Sequence, residues 1–319
     1  ALTLAPEVAQ WVMVSLGEAT RAACAEIAEG EDAAIAIREG KRRGAFAVSV
    51  ADLLGEASVA EVTEALSGLA DAAIARALHA AAGEDGAPGL FILALGKLGG
   101  GELNYSSDVD LVALFEPGEL SQAAAIKVVQ RMTRLLSERT AHGYGFRVDL
   151  RLRPDPGSTP VAVTTTSAMN YLHAQARAWE RQALIKARFV AGDSAAAERY
   201  LAAASLSVWP SAYDFSAIQD AADMRAQMAA VRGAGLLTLP GHNVKLGRGG
   251  IREIEFMVQS LQRVAGGRDR ALRGKSTVLM ARSLARAGWM DDDIAGMLCE
   301  HYDRLRRVEH RLQMINDEQ

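Results

Sequence analysis

Along residues 1–82 the apolar positions recur at spacings of three and four, the period of helices that bury one face. Val8, Trp11, Val12 and Leu16, with Ser15 among them, form one such stripe, and Pro6 suits the first turn of the helix carrying it. Asp52 and Ser58 have N-cap side chains, and the basic run Gly40–Gly44 (GKRRG) reads as a turn between helices. After a loop at Gly83–Gly89 the period changes. Phe91–Leu95 is a continuous apolar run of strand length, followed by a turn dense in glycine (Gly96, Gly99, Gly100, Gly101). A second strand then alternates Asp108 and Asp110 with Val109 and Leu111, and Pro117-Gly118 closes the pair. Helical spacing returns over Ser121–His142 through Ile126, Val129, Met132, Leu135 and Leu136, with Gly143 and Gly145 as stops.

Phe146–Arg153 alternates again, placing Val148, Leu150 and Leu152 on one face and Arg147, Asp149, Arg151 and Arg153 on the other. Val161–Thr165 has strand character, and Ser167 caps a helix predicted to run to about Val190. From Asp193 onward the pattern is helical, with one long amphipathic stretch at Tyr213–Ala230 and a buried face at Ile254, Met257, Val258 and Leu261. Two more helices fill 276–319, parted near Gly288–Asp293 with Asp291 as a cap, and His301 and His310 fall on their surfaces. The pattern predicts a mostly helical α+β chain. Its parts are an N-terminal helical region (1–82), a core built on a small sheet (83–192) and a C-terminal helical bundle (193–319).

The chemistry sits in the middle part. Asp108 and Asp110, two apart on a strand, point the same way, and a strand beside them adds Asp149. Carboxylates held that close repel one another, and a divalent cation is the usual compensation. Hard oxygen ligands suit Mg²⁺ bridging to phosphates, and the arginines of that face, Arg147, Arg151 and Arg153, lie near for phosphate charge. A second polar concentration, His242–Glu253, places Lys245, Arg248 and Arg252 around Gly247, Gly249 and Gly250 at a predicted helix start, a pattern that suits an anion. Glu253 and Glu255 read as surface carboxylates, and Lys186 is a candidate phosphate contact.

Composition narrows the partners. A net charge of −4 and a pI near 5.9 lack the basic footprint of a duplex-binding enzyme, which argues against nucleic acid. Cys24 and Cys299 stand in no metal-ligand spacing and read as buried free thiols of a reducing compartment. No apolar run reaches the ~18 residues of a membrane helix, and the N-terminus lacks a signal pattern, so a cytoplasmic protein without a membrane partner is expected. The missing initiator Met and the periodic end at Gln319 read as a cut piece of a longer chain.

The segments GKLGGGELNYSSDVDL, VDLRLRP, WERQALIKAR, NVKLGRGGIREIEF and the final INDEQ resemble the glutamine synthetase adenylyltransferase family. That family lies in the nucleotidyltransferase superfamily of polymerase β type, whose signature is a Gly-Gly or Gly-Ser turn, Asp-x-Asp or Asp-x-Glu, then a third Asp. The resemblance runs from about Lys41 to the last residue. It implies a polymerase β-like nucleotidyltransferase sheet with flanking helices. Asp108, Asp110 and Asp149 become the catalytic carboxylates and ligands of Mg²⁺, two ions in all. Gly96, Lys97, Gly99, Gly100, Ser107, Arg151, Lys186, Lys245, Arg248 and Gly249 become contacts to ATP or ADP and phosphate. Gly96-Lys97 has the superfamily's spacing to Asp108 and Gly99-Gly100 its residue types, so both pairs stay open as the phosphate turn. The loop after Arg153 reads DPGSTP where the family usually has a glycine pair.

Family members join two such domains: one transfers AMP from ATP to a tyrosine of glutamine synthetase, the other removes it by phosphorolysis to ADP. Asn104–Ser107, Val148–Pro154 and Ile315–Gln319 resemble the N-terminal, removing half. The implied partners are glutamine synthetase, a PII-type signal protein and the absent adenylyltransferase half. The alternatives are the transferring half itself and a binding module without catalysis.

Overall fold

The structure is a computed structural model and describes residues 15–210 and 243–316. The stripe at Val8–Val12 and the stretch Tyr213–Ala230 lie outside those residues. The described residues fall into two compact units: 15–174 with 187–202, and 175–186 with 203–210 and 243–316.

The first unit opens with three helices, α1 (Leu16–Glu29), α2 (Ala33–Leu54) and α3 (Val59–Ala82), packed on one another. Ser15 and Ser58 close capping boxes with Glu18 and Glu61, which satisfies the amides that a helix start leaves open. The Gly40–Gly44 run is no turn: it lies inside α2. A Cβ on Gly40 would stand 2.5 Å from Ile27 Cγ1, and one on Gly44 2.6 Å from Leu69 Cδ2. These glycines let α2 approach α1 and α3 closely, and that packing outweighs their poor helix propensity. Asp52 likewise sits in the last turn of α2, buried, where it accepts from Tyr105 Oη at 3.2 Å.

Strands β1 (Leu90–Ala94), β2 (Val109–Phe115), β3 (Val148–Asp149), β4 (Ala162–Thr164) and β5 (Arg188–Gly192) form one mixed sheet. β1 lies between β2 and β5, antiparallel to both. The other edge of β2 takes β3 at Val109–Asp110 and β4 at Ala113–Phe115, both parallel. Leu90, Ile92, Leu111, Ala113 and Phe115 join the core of α1–α3 and of α5 (Gln122–Ser137), a helix capped by Ser121. Asp110 shares the opposite face with Val112 and Leu114.

Three sequence expectations change here. FRVDLRLR contributes only Val148 and Asp149 to the ladder, because Arg151 and Arg153 fold back onto Asp149 and the Leu150 carbonyl. The helix expected to run to about Val190 is instead α6 (Thr165–Ala174), α7 (Ala178–Ala183), a 3-10 turn (Leu184–Lys186) and then β5. Pairing with the open edge of β1 decides the conformation of Arg188–Gly192. The helix read to His142 ends at Ser137, and Thr140 and Gly143 bridge to each other.

α8 (Ser194–Val208) spans the boundary of the units, and its Tyr200 packs on Phe91 with ring centroids 6.1 Å apart. In the second unit α9 (Ile251–Ala265), α10 (Thr277–Arg286) and α11 (Asp292–Asn316) pack around Val258, Leu272, Met280, Leu284 and Cys299. Asp291 caps α11 through the Asp293 amide, 2.9 Å. His310, expected on a surface, is fully buried on α11, whereas His301 is exposed. Cys24 is half-buried and Cys299 buried, both as free thiols. Among the described residues no helix is long and apolar enough to cross a membrane.

Candidate active site

Asp110 stands on β2 directly opposite Asp149 on β3, as register partners of a parallel pair. Such partners share a face, so the two carboxylates belong to one patch, with Asp108 at the entrance to β2. The turn after β1 forms a single helical turn, α4 (Gly96–Gly99), whose first residue abuts this patch. Gly96 has φ +55°, and a Cβ there would lie 2.2 Å from Asp110 Oδ2. Only glycine fits, because the backbone is left-handed and a carboxylate occupies the space a side chain would need. The Leu95 amide donates to the Asp110 carbonyl at 2.9 Å, tying the turn to β2.

The two glycine pairs differ in their backbone bonds. The amides of Gly99 and Gly100 donate to Leu95 and Gly96 carbonyls at 2.8 and 3.1 Å, so the second pair is spent on the turn's own hydrogen bonds. Gly96 and Lys97 lie at the end nearest Asp110. Ser107 Oγ is closed off from solvent and has no hydrogen-bond partner among the described residues.

Arginines bond to the carboxylates of Asp108 and Asp149. Arg147 Nε donates to Asp108 Oδ1 at 2.8 Å, while Nη2 reaches Ser106 Oγ at 2.9 Å and the Ser106 carbonyl, and Nη1 reaches Tyr144 Oη at 3.1 Å. Sequence reading put Arg147 on the Asp149 face among the arginines near for phosphate charge, whereas here it bonds Asp108. Its signal was the alternation that brings it level with the entrance to β2. Arg151 Nε donates to Asp149 Oδ2 and Oδ1 at 2.9 and 3.0 Å, and the Arg151 amide to Oδ1 at 2.8 Å. These bonds hold the Asp149 carboxyl below the usual carboxylate range. The same bonds raise the Arg151 guanidinium pKa, with a smaller contribution from Asp108 and Asp110. Asp108, Asp110 and Asp149 are all hard oxygen donors, a set whose chemistry fits Mg²⁺. With Asp108 and Asp149 turned to arginines, no three carboxylate, imidazole or thiol groups among the described residues close into a metal-holding cluster.

The remaining candidates belong to the second unit. Lys186 is buried, with Nζ 3.5 Å from Glu255 Oε1 and 3.3 Å from Thr277 Oγ1. Tyr302 Oη also donates to Glu255 Oε1, at 3.1 Å, and Arg306 Nη1 to Tyr302 Oη, at 2.9 Å. Glu255, read as a surface carboxylate, is the hub of that buried chain. In this geometry the Lys186 ammonium contacts a carboxylate and a hydroxyl of the second unit. Lys245, Arg248 and Gly249 lie in the turn before α9, where Asn243 Oδ1 accepts from the Lys245 and Leu246 amides. Gly249, at φ +73°, donates its amide to Glu253 Oε2 at 2.9 Å. The helix start that was read as an anion site thus has an internal carboxylate on it.

A glycine turn set against paired carboxylates on a mixed sheet, flanked by helices, defines a nucleotidyltransferase-like domain. Comparison with known proteins agrees: the family described as glutamate-ammonia ligase adenylyltransferase matches residues 10–203, and one described as GlnD PII-uridylyltransferase matches residues 222–319. The chain belongs to the glutamate-ammonia ligase adenylyltransferase family. It is 45% identical over 305 residues to the bifunctional glutamine synthetase adenylyltransferase/adenylyl-removing enzyme of Bradyrhizobium sp. (strain ORS 278), covering 89% of this chain and 31% of the relative. The corresponding enzyme of Rhizobium meliloti (strain 1021) is 46% identical with the same coverage. That of Rhodopseudomonas palustris (strain HaA2) is 43% identical over 96% of this chain and 33% of its own. The chain therefore spans about a third of the length of the curated relatives it matches.

Proposed function

We propose that this chain removes AMP from a tyrosine of adenylylated glutamine synthetase by Mg²⁺-dependent phosphorolysis. An oxygen of inorganic phosphate attacks the α-phosphorus, the bond from phosphorus to the tyrosine oxygen breaks, the phenolic oxygen takes up a proton, and ADP leaves. The observation that carries the reading is the Asp110–Asp149 register pair with the Gly96 backbone against it. The removing direction is supported by the likeness of Asn104–Ser107 and Val148–Pro154 to the removing half, and by relatives named for both activities. Those names also support glutamine synthetase as the target.

In nucleotidyl transfer a protein contributes mainly position and charge. Asp108, Asp110 and Asp149 are the residues that would hold Mg²⁺, which when bound offsets phosphate charge and polarises the phosphoryl group. The glycine at position 96 keeps the turn close enough for its backbone to meet a phosphate oxygen, as no other residue would. Ser107, the residue before Asp108, has an Oγ without a hydrogen-bond partner among the described residues and is a candidate donor to phosphate. Arg147 fixes Asp108, and Arg151, exposed beyond Asp149, supplies a cation at the rim.

The test is ADP release from AMP-modified glutamine synthetase with Mg²⁺ and phosphate. Release should depend on phosphate and fall by about 10²-fold or more in Asp110→Asn. Pyrophosphate from ATP and unmodified glutamine synthetase, with no ADP release, would assign the chain to the transferring half. Binding without either reaction would make it an interaction module.

A further inference from the structure

Arg188 is the first residue of β5 and pairs with Ala94, the last residue of β1. Its side chain reaches past the strand to the end of α4. Nε and Nη2 both donate to the Leu98 carbonyl, at 3.2 and 3.0 Å, and Nη2 also meets Asp71 Oδ1 at 2.8 Å. Asp71 comes from the middle of α3 and is half-buried; burial raises its carboxyl pKa, with Arg188 opposing. A half-buried carboxylate with one guanidinium on it is a costly group to orphan. The arrangement thus joins α3, β5 and the α4 turn through one side chain.

The turn so held is the one that meets the carboxylates. Leu98 is two residues from Gly96, about 3 Å along a helix axis. Gly96 has no slack, since its Cβ position lies 2.2 Å from Asp110 Oδ2. Leu98 and Gly99 are buried, so the turn's inner side is packed, while Gly96 at its N-terminal end meets Asp110.

We propose that Arg188, backed by Asp71, is a positioning residue that clamps the Gly96–Gly99 turn against Asp110 and thereby sets the affinity for a nucleoside diphosphate. Lysine would keep the charge but not the fork that bonds Leu98 and Asp71 together. The inference rests on the reading of this patch as a nucleotide site. The Arg188 side chain bonds to Leu98 and Asp71, so its effect falls on binding through the turn.

The experiment is calorimetric titration of the full 319-residue chain with ADP in Mg²⁺, for the native protein, Arg188→Lys, Arg188→Met and Asp71→Asn, each checked for a cooperative thermal transition. Arg188→Met and Asp71→Asn should weaken ADP about tenfold at temperatures well below their melting points, with Arg188→Lys in between. The double variant should be no weaker than Arg188→Met alone, because both substitutions open the same clamp. Asp71→Asn leaves the sheet untouched and serves if Arg188→Met does not fold. Native binding with all folded variants within twofold would overturn the clamp, leaving Arg188 a purely structural residue and the nucleotide site intact. A folded native protein that binds no ADP would overturn both the clamp and the nucleotide reading.

Discussion

Gly96→Ala tests the closest approach in the site, and Gly101→Ala supplies its reference. Both glycines have positive φ, +55° and +69°, so an alanine at either pays the left-handed penalty of about 1–2 kcal/mol. They differ in surroundings: a Cβ on Gly101 meets nothing within 4 Å, whereas one on Gly96 falls 2.2 Å from Asp110 Oδ2. Real Cβ contacts stay beyond 3.0 Å, so about 0.8 Å (3.0 minus 2.2) must be found by moving one group. Turning the Asp110 side chain off its rotamer costs about 0.5–1.5 kcal/mol. Moving the turn instead loosens the Leu95–Asp110 backbone bond, at about 1 kcal/mol. Gly96→Ala should therefore cost about 2–3 kcal/mol in urea unfolding and Gly101→Ala about 1–2. Either relaxation displaces the carboxylate or the turn, so ADP release should collapse in Gly96→Ala and persist in Gly101→Ala. Equal destabilisation, with ADP release retained in both, would refute the close approach and the role drawn from it.

Arg38 is buried on α2 and donates to the carbonyls of Ala34, Glu138 and Gly143; Arg38→Met should cost about 2–4 kcal/mol in urea unfolding, because those acceptors lose their donor. Asp149 titrates below its unfolded value, so the unfolded chain binds more protons over that interval. Its stabilising contribution is present above the ordinary aspartate range and is lost as pH falls through the folded value. Acid unfolding of Arg151→Gln should accordingly show a shallower loss of stability below about pH 4 than the native chain. Tyr200 carries the opposite sign: burial pushes its phenol up to about 12, so its stabilisation is complete below pH 10 and declines as pH rises from there toward 12. Denaturation midpoints of Tyr200→Phe across that alkaline range should fall less steeply than those of the native protein.

The strands that carry the carboxylates were legible because their alternation is local: Val109 and Leu111 bury one face, which leaves Asp110 no choice of direction. Ser58 and Asp291 were legible as caps for the same reason, each satisfying an amide two or three residues away. What escaped depended on distant partners. Gly40 and Gly44 read as a turn until Ile27 and Leu69 are seen pressing on them. Arg188–Gly192 continues a helical-looking run and becomes a strand only beside Leu90–Ala94. His310 sits at a position that periodicity gives to solvent, yet it is buried. Within the site, side-chain commitments were the hidden part. Charge and spacing nominated Lys186 and Gly249 for phosphate, and only coordinates show Glu255 and Glu253 on them.

The late arrival of β5 has a consequence for the order in which the protein is made. β1 needs β5 on one edge, and all five of its residues, Leu90 to Ala94, are apolar and buried in the finished sheet. Yet the chain leaves the first unit after residue 174 and returns to it only at 187. At a synthesis rate of about 5–20 residues per second, the stretch from Ala94 to Gly192 takes about 5–20 s to emerge. Throughout that interval the nascent chain carries a bare, greasy strand edge of the kind that pairs with any neighbour. A ribosome pausing anywhere between Ala94 and Gly192, the excursion from Ala174 to Ala187 included, would prolong the exposure, so this chain's yield in a cell should depend on translation speed over that stretch.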